Sequence, residues 1–339
     1  IIPLLAKLNV EAIMIGEQLD ILRHAQKALK QGQKTILITV IKTWGSSPRP
    51  LGSMLSLCED GSFCGSVSGG CVEDNMIEQL LTDFPSQIQV VIYGETEDER
   101  RRYKLPCGGT LKLLIHPIED SRELEPLIEA LQQRSVIKHT VNINDGSTLT
   151  ETADRTETSL TPSLTQDENG TPIQWTNIIG PMWRIFVVGA GSISQYLGEM
   201  ATALGYQVIV CDPRPEYRAQ WNPAHGQLVD GYPDDALMAL QPDARTAIVG
   251  LTHDPKLDDL AVIQGLQSPV FYLGAMGSIN TSNNRRARLM EHFGFSEQDL
   301  KELKAPIGLD IGSKTPPEIA LSTLAEITAA KNGKISYCS

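Results

Sequence analysis

Apolar positions at Leu19, Leu22, Ala25 and Leu29 recur with the period of an amphipathic helix, which predicts a helix over Glu17–Lys30 stopped by Gly32. The pattern then changes to strands. Thr35–Ile41 and Ser53–Leu57 are β-rich, and Asp60-Gly61 signals a hairpin before a returning strand at Phe63–Val67. Between the first two runs, Trp44–Gly52 carries Pro48 and Pro50 among glycines and serines, too rigid and irregular for a helix. A helix is predicted over Val72–Leu81, strands over Gln89–Tyr93 and Leu111–Ile115, and a helix over Ser121–Gln133.

From Asn142 to about Trp175 the chain is rich in Thr, Ser, Asp and Gly, and reads as hairpins and surface loops leading to a boundary near Pro181. A flexible linker is the plain alternative. Beyond it the order is strand (Ile185–Val188), glycine turn, helix (Gln195–Leu204), strand (Gln207–Cys211). Thr246–Gly250 and Pro269–Leu273 read as later, short buried strands, and Asn283–Phe293 and Pro317–Ala330 as helices. This alternation predicts a mostly parallel sheet covered by helices. The fold class is therefore α/β: an N-terminal mixed α/β domain over residues 1–180, then a Rossmann-like domain over 181–339.

The glycine turn sharpens that expectation. Gly189-Ala190-Gly191-Ser192-Ile193-Ser194 stands close to the dinucleotide fingerprint, with Gly189 at the tight turn and Gly191 where backbone approaches a pyrophosphate. Ser194 replaces the usual third glycine or alanine. Asp212, ending the next strand, stands where a ribose-binding acid belongs, and Arg214 would favour a 2′-phosphate. NAD or NADP is the ligand this implies, although the fold can persist around a different ligand or none. Thr252-His253-Asp254 follows a strand at the crevice edge. His253 there is a candidate proton carrier, with Asp258 or Asp259 orienting it, while Asp254 alternatively caps the next turn. Gly274–Ser278 is a second glycine loop of this kind, and Asp310 is a further candidate for the crevice. Arg285, Arg286 and Arg288 read as a solvated helix face.

The first half holds another chemistry. Ser68-Gly69-Gly70-Cys71 sets a thiol after a glycine pair and before a helix, where free amides and the helix dipole favour thiolate. Cys107-Gly108-Gly109 makes a second such loop. A soft thiolate beside flexible backbone suits a sulfur- or metal-containing ligand, though free cysteines are also common as small buried hydrophobes. Glu73 would exchange a proton near the thiol or simply favour the first helical turn, and Arg49 would pair with a ligand phosphate or stay solvated.

Composition bounds the function. With 41% apolar residues and a net charge of -12, the chain can bury ordinary cores and has no basic surface for nucleic acid or anionic membrane. No stretch approaches the ~20 apolar residues of a bilayer span. Ile1–Val10 lacks the flanks of a secretion signal, and the missing initiator methionine points to a start inside a longer chain. The six cysteines include no CxxC, so neither a disulfide scaffold nor a zinc knuckle is expected, and the chain reads as cytoplasmic. There is also no G-x-S-x-G elbow and no P-loop lysine.

Taken in order, Gly45–Pro50, Gly65–Glu73, Pro106–Gly109, Asp212–Pro215, Thr252–Asp254, Gly274–Ser278 and Pro306–Glu318 resemble the xanthine dehydrogenase accessory protein family, the XdhC/CoxI family. The resemblance covers most of the chain. It implies an accessory protein that binds molybdenum cofactor (molybdopterin), supports its sulfuration with a cysteine desulfurase and delivers it to a xanthine dehydrogenase-type molybdoenzyme. Cys71 and Cys107 map onto the family's cysteine loops, which makes them the candidate cofactor-holding groups. The competing readings are an NAD(P)-dependent oxidoreductase and a scaffold using neither pocket. A homodimer is compatible with the sequence, which shows no interface.

Overall fold

The computed structural model describes residues 17–44, 49–68, 72–94, 110–153 and 161–334. They form two compact units, one over Ile15–Asp154 and Leu160–Pro181, the other built on Met182–Ser339.

The first unit begins with α1 (Glu17–Lys30) and an antiparallel sheet of β1 (Thr35–Trp44), β2 (Met54–Cys58), β3 (Phe63–Gly65), β4 (Gln89–Tyr93) and β5 (Thr110–Ile118), in the order β3-β2-β1-β5-β4. Central β1 is buried along both faces, as its nearly continuous apolar run demands. Ile36, Ile38 and Val40 face α2 (Glu73–Thr82) with Leu55, Leu57 and Met76. On the opposite face, Leu37 and Met54 pack with Ile21, Leu22 and Ala25 of α1 and with Leu127, Ile128 and Leu131 of α3 (Glu125–Gln132).

The polar stretch expected as hairpins and loops is a sheet of its own: β6 (Ile137–Asn142), β7 (Thr148–Thr152), β8 (Ser163–Gln166) and β9 (Pro172–Ile179), in the order β7-β6-β9-β8. Its inward positions supply Ile137, Ile179, Val141 and Trp175 to the core, and its outward positions stay polar. That alternation explains why the segment looks loop-like by composition.

The second unit is a six-stranded sheet of β10 (Arg184–Val188), β11 (Gln207–Cys211), β12 (Gln227–Val229), β13 (Thr246–Gly250), β14 (Tyr272–Ala275) and β15 (Leu303–Lys304). The order is β12-β11-β10-β13-β14-β15, and every pairing is parallel. This is the doubly wound dinucleotide-binding order, with its switch point between β10 and β13. One face carries Leu197 and Ala201 of α4 (Ser192–Ala203) with Ala320, Leu324 and Ile327 of α9 (Pro316–Lys331). The other carries Leu237 of α6 (Pro233–Leu240), Leu257 and Val262 of α7 (Pro255–Leu266) and Leu289 of α8 (Ile279–Phe293). A single helical turn, α5 (Pro215–Arg218), follows β11.

Among the departures from expectation are three in the second unit. Helix α7 has no signal in the sequence pattern, because Asp258 and Asp259 interrupt its apolar positions although both are buried. β14 begins at Tyr272 rather than Pro269, and Gly274, beyond the predicted end, is inside it. α8 starts at Ile279, capped by Ser278, whose side chain accepts from the Thr281 amide at 3.1 Å.

Candidate functional site

The first candidate site grows from the end of β3. Gly65 has φ +97°, and a Cβ there would lie 2.4 Å from the Met54 carbonyl oxygen, so only glycine turns the chain at this point. The loop that follows folds around one carboxylate. Glu73, 5% exposed at the start of α2, accepts from Ser66 Oγ (2.7 Å), Val67 N (3.0 Å), Ser68 N (2.8 Å) and the Ser68 hydroxyl. Ser68 Oγ in turn accepts from Val72 N at 3.0 Å, and Arg49 Nε donates to Ser66 Oγ at 3.2 Å. Burial alone would raise the Glu73 carboxyl, but the Ser68 and Ser66 hydroxyls and loop amides outweigh it and hold the group at about 2.

Glu73 is thus ionised at neutral pH and works as an anchor for the preceding loop, a role outside the two that its sequence position suggested. Ser68 and Arg49 join the same anchor. The Ser68–Val72 hydrogen bond pins the two ends of the segment that contains Gly69, Gly70 and Cys71. Those three residues lie outside the described residues, as do Cys107, Gly108 and Gly109. Ser66, inside the Gly65–Glu73 motif but given no role by it, forms with Ser68 an alternating pair whose hydroxyls both reach Glu73.

The second candidate site lies at the carboxyl edge of the parallel sheet. Gly189, with φ +101°, turns the chain out of β10, and a Cβ there would meet Thr252 Cγ2 at 2.8 Å. Gly191 caps α4 without any side-chain cap, and the nearest atom to its missing Cβ is Tyr217 Cε1 at 4.0 Å. Space therefore exists where backbone would approach a phosphate. Ser194, in the first turn of α4, is 1% exposed, and its hydroxyl has no partner among the described residues. Asp212 is fully buried. It accepts from Ala190 N (2.9 Å) and from Arg214 through N (3.0 Å), Nε (2.9 Å) and Nη2 (2.8 Å). Burial pushes its carboxyl up, but these donors hold it below the usual range.

Around the next loop the structure corrects two expectations. Asp254 accepts from Lys256 N at 2.9 Å and caps α7. Asp258 accepts from Thr252 N (3.2 Å), Thr252 Oγ1 (2.8 Å) and Arg285 Nη2 (3.2 Å), while Asp259 accepts from Arg285 Nε (2.8 Å) and Arg288 Nη2 (2.6 Å). These bonds tie both carboxylates to other partners, so neither orients His253, which is exposed. Arg285 is 1% exposed rather than part of a solvated face, because it is the counter-charge to that buried pair and also donates to the Met276 carbonyl at 3.1 Å. Burial raises Asp258 to about 6 against the pull of Thr252 and Arg285. Asp310 is exposed.

Among the described residues no cluster of three His, Cys, Asp or Glu side chains could hold a metal ion, and no helix is long and apolar enough to cross a membrane. Of the described cysteines, Cys58 and Cys211 are buried and Cys64 is half-buried; burial drives the Cys211 thiol up to about 12, far from a reactive thiolate.

Comparison with known proteins fits this architecture. Residues 185–327 match the XdhC Rossmann domain, and residues 28–93 match the XdhC and CoxI family. The chain is 28% identical over 332 residues to the molybdenum cofactor insertion chaperone PaoD of Escherichia coli (strain K12), spanning 95% of this chain and 91% of that protein. It is 26% identical over 317 residues to a probable xanthine dehydrogenase subunit of Bacillus subtilis (strain 168), spanning 88% of this chain and 94% of that protein. A crystal structure described as a xanthine dehydrogenase from Bacillus halodurans shares the fold with a TM-score of 0.68 at 23% identity, covering 94% of this chain and 97% of that one. The two family matches together take in more than half of the sequence, one in each unit, and the chain belongs to the XdhC/CoxI family.

Proposed function

We propose that this chain is an accessory protein that holds molybdenum cofactor on its first unit, supports its sulfuration and delivers it to a xanthine dehydrogenase-type molybdoenzyme in the cytoplasm. The observation that carries the reading is the pinned loop. Glu73 and Ser68 hold the backbone at Ser68 and Val72, which flank the segment carrying Cys71, and in this reading that hold presents the thiol to the ligand. The match to PaoD along nearly its whole length supports the same reading. In it, Cys71 and Cys107 lie near the molybdenum or the sulfur under transfer, Arg49 and the amides of Gly69, Gly70, Gly108 and Gly109 grip the pterin phosphate, and a cysteine desulfurase supplies the sulfur.

The test is anaerobic titration with freshly released molybdenum cofactor, following retained molybdenum and pterin fluorescence after gel filtration. Wild type retains both. Folded Cys71→Ala and Cys107→Ala variants lose retention. Retention unchanged in the folded double variant refutes the cysteine role.

The parallel sheet supports a second reading, an NAD(P)-dependent oxidoreductase in which Gly189 and Gly191 hold the dinucleotide and His253 moves a proton. The open face of Gly191 favours it. Calorimetry that detects no binding of NAD(H) or NADP(H) at millimolar concentration removes it.

A further inference from the structure

The arrangement of Asp212 and Arg214 says more about the second site than its glycine turn does. In a dinucleotide-binding sheet the acid at the end of the second strand accepts hydrogen bonds from ribose hydroxyls. Asp212 holds that place, but its acceptor capacity is already filled. Each carboxylate oxygen takes two N–H donors, Oδ1 from Arg214 N and Nε, and Oδ2 from Ala190 N and Arg214 Nη2. A carboxylate offers about four lone-pair positions in all. With its side chain fully buried as well, Asp212 has nothing to offer a ribose diol.

Arg214 is in the opposite condition. Its side chain is 25% exposed, and its Nη1 has no protein acceptor among the described residues. Its guanidinium lies 3.9 Å over the Tyr217 ring. That ring is also the nearest group to the open face of Gly191. Asp212 behind and Tyr217 below therefore fix the guanidinium next to the turn that would carry a diphosphate, so little side-chain freedom is lost when an anion arrives. A planar, permanently charged guanidinium with a spare donor suits a phosphate far better than a hydroxyl.

We infer that the crevice beside Gly191 binds a nucleotide bearing a phosphate on its ribose 2′ oxygen, with Arg214 as the group that recognises that phosphate. NADP(H) belongs to the class; NAD(H) and simple adenylates do not. The inference stands apart from the cofactor-holding role of the first unit. Nucleotide binding can fail while molybdenum cofactor is still retained, and the reverse.

The experiment is calorimetric titration of the full chain with 2′,5′-ADP, 3′,5′-ADP and 5′-AMP. The 2′,5′ isomer is expected to bind about tenfold or more tightly than either of the others. NADP+ should outcompete NAD+ by a similar factor. Arg214→Gln, checked for an unchanged circular dichroism spectrum, should remove the preference and leave the weak AMP affinity in place, a pattern that mere loss of structure would not give. Equal binding of the three nucleotides to wild type overturns the inference, as does parity of the 2′ and 3′ isomers. No detectable binding of any of them at millimolar concentration overturns it too, and so does a preference that survives in Arg214→Gln.

Discussion

Glu73 and Asp212 perform the same mechanical task in two unrelated folds. Each is a buried carboxylate that folds back onto the backbone of a glycine-containing loop and holds that loop in place. Their partners differ. Glu73 accepts from two serine hydroxyls and two backbone amides, while Asp212 accepts from one loop amide and from the amide and guanidinium of Arg214. A latch made of neutral donors is local. It fixes the backbone on either side of Cys71. A latch that recruits an arginine brings a cation to the site and orients it. Similar anchors thus leave one loop held by neutral donors and the other furnished with a fixed guanidinium.

The sharpest way to break this comparison is Asp212→Asn. It places an amide N–H against donors and strips Arg214 of its counter-charge, which should destabilise the second unit by about 3–5 kcal/mol, read as a loss in denaturant midpoint. Glu73→Gln should cost about 2–4 kcal/mol in the first unit, because the new amide nitrogen cannot accept from the loop amides or serine hydroxyls. The same latch gives a pH signature. Glu73 sits at about 2 in the fold and 4.5 when free, so its contribution is present above pH 4.5 and is lost as pH falls through that window to about 2. The loss amounts to ~3 kcal/mol. Acid titration of wild type against Glu73→Gln should show the two stabilities converging there; parallel curves would mean that the carboxylate is not held as described.

Ser68→Ala removes one bond to Glu73 and one to Val72 N and should cost about 1–2 kcal/mol, with hydrogen exchange at Val72 rising by more than elsewhere in the unit. Asp254→Ala, which removes an N-cap bonded to neither latch carboxylate, should cost only about 1 kcal/mol in thermal or denaturant unfolding.

Periodicity carried much of the fold. Glu17–Lys30 and Gln207–Cys211 coincide with α1 and β11, because an amphipathic stripe and a short apolar run each have one good structural solution. Helix α7 is hidden by Asp258 and Asp259, whose burial depends on Arg285, a residue on a different helix. No local pattern reports a partner that distant. The β6–β9 sheet is hidden by its polar outward face. At the sites, the glycine turn and Asp212 are legible as a motif. The saturation of Asp212 is not, since it depends on side-chain geometry around a neighbour two residues on. Tyr217 is within reach: three residues after Arg214 across one helical turn, it is spaced to lie beneath it. The anchoring of Glu73 is equally ambiguous in sequence, where an acid at a helix start fits several roles.

The packing of α9 against α4 sets the order in which the protein can be made. The strands of both sheets in the first unit have been synthesised by Ile179, so that unit can close while the ribosome is still at work. The parallel sheet cannot do so. Its face around Leu197, Ala201 and Val249 waits for Ala320, Leu324 and Ile327. A nascent chain halted before Pro316 therefore carries a finished first unit together with a second whose apolar face is bare, and that face is where a chaperone would be needed until Lys331 has emerged.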